Sequence, residues 1–221
     1  MIRKTLSASL LALAIAAPFA QAFEAGDIIV RAGAVTVDPQ EDSSAVKLNG
    51  GAIGGQATLD SDTQLGLNFA YMLTNNIGIE LLAATPFEHS VGLKGLGALD
   101  GKFADVKHLP PTLSVVYYPL ASQSAFQPYV GLGVNYTMFF QEDLSSYHSG
   151  LGFSNLELDD SIGLAAQVGA DYMLTDRVML NAQVRWIDID TEATADLGPN
   201  KVKVDVDVDP MVYMVGLGYK F

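Results

Sequence analysis

The chain has 221 residues, of which 49% are hydrophobic; it has no cysteine and a formal net charge of −13. No disulfide framework is possible, and such acidity argues against binding nucleic acid or anionic lipid through bulk electrostatics. After residue 22 no apolar run approaches the roughly 18 residues of a membrane-spanning helix, which excludes a helical membrane protein.

In chain order, Met1–Ala22 reads as a secretory signal. Arg3 and Lys4 give a positive start, Leu6 to Ala17 an apolar core, and Ala20-Gln21-Ala22 a small-residue cleavage motif. That core is shorter than the roughly 20 residues of a spanning anchor. Cleavage after Ala22 leaves residues 23–221 as one domain, and the loss of Arg3 and Lys4 takes the net charge to −15.

Period-two alternation then predicts about eight strands, each of the roughly 9 residues or more that a tilted spanning strand needs. The first runs from about Asp27 to Val37. The second, Thr63 to Leu73, sets Leu65, Leu67, Phe69, Tyr71 and Leu73 against Gln64, Gly66, Asn68 and Ala70. Thr74-Asn75-Asn76 turns the chain into Ile77 to Thr85. The fourth spans about His108 to Tyr118. After a Pro119 to Ala125 turn, Phe126 to Phe140 is the clearest strand of all. Ser161 to Leu174 follows, and Thr175-Asp176-Arg177 turns into Val178 to about Ile189. The last runs from about Lys201 to Phe221.

The connections near residues 75, 121 and 176 are short; those at 38–61, 86–107, 141–160 and 190–200 are long. Bacterial barrels have short periplasmic turns and longer extracellular loops, so this pattern orients the chain. Tyr71, Tyr117, Phe126, Tyr172, Tyr219 and Phe221 fall near the short turns, with Tyr136, Trp186 and Tyr213 one membrane span higher. The terminal alternation of Tyr213, Val215, Leu217, Tyr219 and Phe221 would be an aggregation-prone edge unless it paired with the first strand. The predicted fold is all-β: an eight-stranded antiparallel transmembrane β-barrel of the bacterial outer membrane, in contact with outer-membrane lipid and monomeric.

Eight strands leave room for side chains or one small ligand. Arg31, Glu80, Asp171 and, somewhat higher, Arg185 point inward by parity, with Lys220 near the periplasmic end, and are expected to pair as a polar plug. They either stabilise a solid barrel or regulate a pore. Leu59, Phe139, Phe153, Leu156, Ile187 and Ile189, with Phe87, Val91, Leu93, Leu96 and Phe103, place apolar side chains around the outer mouth. These form either a small loop core or a pocket for an apolar ligand. Pro110 and Pro111 cannot donate to a ladder, so they are either the leader of a strand that begins at Thr112 or a gap in the wall.

No catalytic residue is assigned. His148 lies near Asp143, Ser145 and Ser149, and His89 and His108 sit in or beside another long loop. Proximity in sequence shows neither a base in hydrogen-bond reach nor a group to orient it. No metal ligand or cofactor is assigned either. Glu157, Asp159 and Asp160 match no calcium-loop spacing, nor do Asp205, Asp207 and Asp209, which alternate with Val204, Val206 and Val208 as one wet strand face.

Several segments together resemble the outer-membrane protein W (OmpW) family, and within it the OprG-like branch. They are Val30-Arg31-Ala32-Gly33, Asn75-Asn76-Ile77-Gly78-Ile79-Glu80-Leu81, Ala84-Thr85-Pro86-Phe87, Lys107-His108-Leu109-Pro110-Pro111-Thr112-Leu113 and Phe126-Gln127-Pro128-Tyr129-Val130-Gly131-Leu132-Gly133-Val134-Asn135-Tyr136. The resemblance covers essentially the whole mature chain. It implies a channel that is apolar toward the outside and blocked toward the periplasm, taking up small, often hydrophobic solutes and releasing them laterally into the membrane. A branch of the family is linked to small amino acids, which keeps that substrate class open. Pro110 and Pro111 match the family's proline-containing wall segment. Some relatives carry a tryptophan at the lumen constriction; Trp186 points outward by parity here, so that role is not transferred. The rival from another class is a structural or adhesive barrel with a filled lumen.

Overall fold

In a computed structural model of the protein, residues 22–221 are described. The leader expected at Met1–Ala22 lies, except for Ala22, outside the described residues. Eight strands form the barrel: β1 (Ile28–Asp38), β2 (Asp62–Met72), β3 (Ile77–Ala84), β4 (Thr112–Tyr117), β5 (Phe126–Leu144), β6 (Ser161–Met173), β7 (Val178–Ile187) and β8 (Met211–Lys220). Each pairs antiparallel with its neighbours in sequence, and β8 closes on β1 from Ile29↔Lys220 to Asp38↔Met211. No edge remains in the barrel wall, as a bilayer demands of every backbone polar group.

Alternation decides which side chains meet lipid. Leu65, Leu67, Phe69, Tyr71, Leu113, Val115, Val130, Leu132, Val134, Val215 and Leu217 all face outward and are exposed. Tyr117, Phe126, Tyr219 and Phe221 form the exposed rim at the short-turn end, and Tyr136, Trp186 and Tyr213 the opposite one. Two of the short turns share one device. The hydroxyls of Thr74 and Thr175 accept from the backbone N–H groups two and three residues on, as Ser and Thr do in tight turns.

Three expected boundaries are corrected. The fourth strand does not begin at His108: Gly101–Leu109 and Thr112–Tyr117 are separate strands divided by Pro110 and Pro111, which supply no N–H. The last strand does not run from Lys201. Asn200–Asp207 belongs to another sheet, and the chain breaks at Pro210 and at Asp209, whose φ is +37°. The seventh ends at Ile187, two residues early.

The long connections are not open loops. Above the barrel, β5 continues as one wall with Gly101–Leu109, Phe87–Lys94 and Gln56–Leu59, bending where Gln141 takes a φ of +53°. Facing it, Phe153–Leu158, Asp190–Leu197, Asn200–Asp207, Val46–Leu48 and Gly51–Gly54 pair into a second sheet, with Asp42–Ser43 attached. Together the walls form a cup over the barrel's outer end.

Candidate functional site

From the periplasmic end upward, the lumen is layered. Lowest is an apolar floor. Ile29, Met72, Val116, Met173 and Met179 close around Phe23, whose ring meets Tyr118 edge-on at 4.9 Å, and Tyr118 meets Tyr129 at 5.1 Å. The segment before β1 thus folds back under the barrel, with Gly26 supplying a φ of +97°.

Above the floor lies a polar belt. Arg31 holds Asp171 with both arms of its guanidinium, Nε at 2.9 Å and Nη2 at 2.6 Å, and donates from Nη1 to Glu80 at 3.3 Å and to Asn68 at 3.0 Å. Its Nη2 also donates to the Tyr118 hydroxyl at 2.9 Å. Arg185 donates to Glu80 at 2.8 Å and to Gln167, while Asn181 links Asp171 to the Tyr129 hydroxyl. All four charged groups are essentially fully buried. Two cations and two anions cancel, which is what allows them to leave water. Tyr129 lies flat enough to reach the belt because Gly169 opposite has no side chain; a Cβ there would stand 2.5 Å from the tyrosine ring. The belt and floor together fill the lower lumen.

Above the belt the chemistry reverses. Val35, Leu82, Ile187, Val212 and Met214 form a packed apolar cluster, and the cup over it encloses a cavity of about 230 Å³. Leu59, Phe139, Phe153 and Ile189 line this cavity, as do Leu93, Leu96, Phe103 and Leu156. Ile187 does not; it is taken up in the packed cluster beneath. Apart from Thr191 and Thr194, the polar residues on the wall are His89 and His108. Their Nε2 atoms stand 2.9 Å apart, and His108 is sandwiched between Phe87 and Phe139, its neighbours on the two adjoining strands. Burial, followed by the nearby His89, pushes the His108 pKa down to about 3.

The prolines locate a break in the wall. On the β5 side the seam is closed: the Tyr136 N–H and the Asn135 amide both donate to the Pro111 carbonyl, at 3.1 and 3.2 Å. On the β3 side the ladder stops at Leu82↔Thr112 and resumes at Phe87↔His108. Ala83 to Pro86 form no pairs with Leu109 to Pro111 in that interval. The break therefore lies at the seam between β3 and β4, and its upper corner, His108, also borders the cavity.

A family model described as the OmpW family matches residues 24–221. The chain belongs to the OmpW family. It is 48% identical over 202 residues to outer membrane protein W of Vibrio cholerae serotype O1, spanning 90% of this chain and 91% of that one. It is 44% identical over 200 residues to outer membrane protein W of Escherichia coli strain K12, with the same coverage. The crystal structure of OprG from Pseudomonas aeruginosa superimposes with a TM-score of 0.88 at 57% identity, over 91% of this chain and 98% of that one, which places the chain in the OprG-like branch. As an OmpW-family barrel it resides in the bacterial outer membrane, in contact with its lipid, with an architecture consistent with small-molecule transport.

Sequence reasoning missed several of these residues. Phe23 carried no signal, since it lies before the first alternating segment. Phe87 and Val91 are expected at the outer mouth and His89 in a long loop; what sequence reasoning missed is that the three alternate inward along one strand, Phe87–Lys94. His148 proves to be a packing residue: Nδ1 meets Ser145 at 2.9 Å, Nε2 meets the Leu99 carbonyl at 3.1 Å, and Phe103, Tyr147 and Phe153 surround the ring. Asp188, Asp190 and Asp209 converge within 4.8 Å, a grouping that sequence spacing did not show. Burial and then its acidic neighbours raise the Asp190 pKa.

Proposed function

We propose that this protein takes up small apolar solutes from the outer side into the cavity and passes them sideways into the bilayer through the β3–β4 seam beside Pro110 and Pro111. One observation carries the reading: an apolar cavity stands on a solid floor. The belt of Arg31, Glu80, Asp171 and Arg185 serves as the periplasmic plug, its members already hydrogen-bonded to one another. A solute reaching the cavity would have to break that belt to continue downward. Sideways, it meets a stretch of wall where the backbone between Leu82 and Phe87, paired with β2 on one side, has no ladder partner on the β4 side. The residues lining the cavity (Leu59, Phe139, Phe153 and Ile189 among them) provide no partners for the two charges of a free amino acid, which disfavours that substrate class. A cavity of about 230 Å³ exceeds the roughly 150 Å³ that suffices for benzene.

The test is reconstituted uptake. Vesicles containing the protein are expected to take up an apolar fluorophore into the bilayer faster than empty vesicles, and Ala195→Trp, which fills the cavity from its wall, is expected to abolish the difference. Ala195 is buried in that wall. Equal rates with and without the protein would leave the filled structural barrel as the better reading.

A further inference from the structure

The cavity reaches the outside at one point. Among its lining residues Ile53 alone is freely exposed, at 48%; the others are buried or half-buried. Ile53 sits in Gly51–Gly54, which forms the edge of the second sheet and is exposed along its whole length. This strand is held from one side. It meets Val46–Leu48 through Val46↔Gly54, Lys47↔Ala52 and Leu48↔Gly51, with a register slip after the first. Among the described residues no ladder forms on its other edge.

Both ends of the strand are built to turn. Asn49 and Gly50 lead into it with φ of +49° and +82°, and Gly54 and Gly55 lead out with +87° and +75°. A Cβ at Gly50 or Gly54 would meet nothing within 4 Å, so packing does not demand glycine there; the left-handed backbone does. Beyond these pivots the chain is fixed. Asn49 donates from its N–H to the Lys201 carbonyl at 2.9 Å and from Nδ2 to Asn200 Oδ1 at 2.7 Å, and its Oδ1 accepts from the Lys201 N–H at 2.9 Å. On the far side Gln56 pairs with Lys94 in the first wall. Gly51–Gly54 therefore runs from one wall toward the other, anchored at both ends and lightly held between them.

The facing lip does not share this freedom. The Tyr147 hydroxyl donates to the Ala98 carbonyl at 2.9 Å, and His148 Nε2 meets the Leu99 carbonyl. From that lip the Leu96 side chain lies over Gly55, where a Cβ would collide with it. Leucine offers only dispersion at such a contact. Exposed backbone, few buried contacts and a single ladder mark the parts of a fold that open at least cost.

We propose that Gly51–Gly54 is a hinged strap over the outer mouth of the cavity, displaced when a solute enters. Ile53 is the first side chain the solute meets, and Leu96 on Gly55 is the latch that recloses the strap. This inference rests on the uptake reading above and names its port of entry.

A reversible cross-link tests it. The chain has no cysteine, so an introduced pair has no competitor. Lys47 and Ala52 stand opposite each other in the ladder, and neither lines the cavity. Directly opposed residues of an antiparallel pair lie within the span a disulfide needs. In vesicles containing full-length Lys47→Cys/Ala52→Cys protein, oxidation is expected to slow protein-dependent uptake of naphthalene about tenfold, and a reductant to restore it. Mass spectrometry verifies the cross-link. Lys47→Cys alone, which also loses the ion pair to Asp205, should not respond to the oxidant. Leu96→Ala trims the latch without a cross-link and should speed uptake about threefold. Unchanged uptake by the cross-linked protein would overturn the strap and leave the uptake reading standing, as would a Leu96→Ala rate no higher than that of the unaltered protein. No protein-dependent uptake by the unaltered chain would end both.

Discussion

The lower lumen and the outer cup are built from opposite chemistry. Below, Arg31, Arg185, Glu80 and Asp171 span the barrel axis and pair with one another, with Asn68, Gln167 and Asn181 joining the belt; Arg185 Nη1, Asn68 Nδ2 and Asn181 Oδ1 are left without a hydrogen-bond partner among the described residues. Above, valine, leucine and phenylalanine from two separate sheets face each other across the cavity and meet at its margin, where the Phe103 and Phe153 rings touch at 5.3 Å. A closed wall of eight strands holds its inward side chains within reach of each other, so long polar groups fill it. Two facing walls, tied by side contacts such as the Ala57 N–H to Ser43 Oγ, are not held to one fixed diameter in this way. The plug is therefore a rigid structure set by the barrel's diameter, and the cavity is a space set by how the hairpins splay.

That contrast can be broken from either side. The largest effect is expected from Glu80→Ala, which strands Arg31 and Arg185 without their shared partner. Breaking a buried pair typically costs about 3–5 kcal/mol, and urea unfolding in lipid should show a loss of that order, with Glu80→Gln losing less. Gly169→Ala comes next: the new methyl collides with Tyr129, and overpacking of this kind costs about 1–3 kcal/mol in the same measurement. Neither change should alter which apolar probe the cavity prefers; a shifted preference would mean that the two regions are coupled.

Substitutions in the upper region should do the reverse. Pro110→Val with Pro111→Thr restores two backbone donors beside the seam, and is expected to slow release into the bilayer while leaving urea stability within about 0.5 kcal/mol. A further effect is one of pH. Folded His108 stays neutral down to about 3, whereas an opened chain regains the ordinary value of 6.5. The opened state thus binds the extra proton across that window, so the cup is most stable above it and loosens as pH falls. The protection factors for amide exchange in Phe87–Lys94 and Gly101–Leu109, taken against the intrinsic rate at each pH, should fall between pH 6.5 and 4, and His108→Gln should remove that dependence.

How much of this was legible in the sequence follows from period two. Where one face meets lipid, as along Leu65, Leu67, Phe69 and Tyr71, alternation is strict, and both strand and orientation can be read directly. Inward parity also placed Arg31, Glu80, Asp171 and Arg185 in the lumen, although parity gives no partners. In the cup the signal fails, because strands such as Phe153–Leu158 and Asp190–Leu197 have water on one face and an irregular apolar interior on the other. They are also bulged, with a register shift between Ser154 and Glu157, which breaks the period. Val202, Val204 and Val206 alternate well enough to be mistaken for the start of β8. Only the left-handed turn at Asp209 and the following Pro210 separate the two, and the first of these is invisible without a backbone.

The pairing of Ile29 with Lys220 joins the two ends of the described chain. Closing a loop grows costlier only with the logarithm of its length, so this last seam costs roughly 3 kcal/mol more chain entropy than a ten-residue hairpin. The penalty is kinetic before it is thermodynamic, since contacts so distant in sequence form slowly. Until β8 arrives, β1 presents a bare row of donors and acceptors inside a lipid bilayer. A chain that stalls before its final ten residues would therefore be left as an open, sticky sheet, which makes arrival of the terminal strand the step that commits the barrel to the membrane.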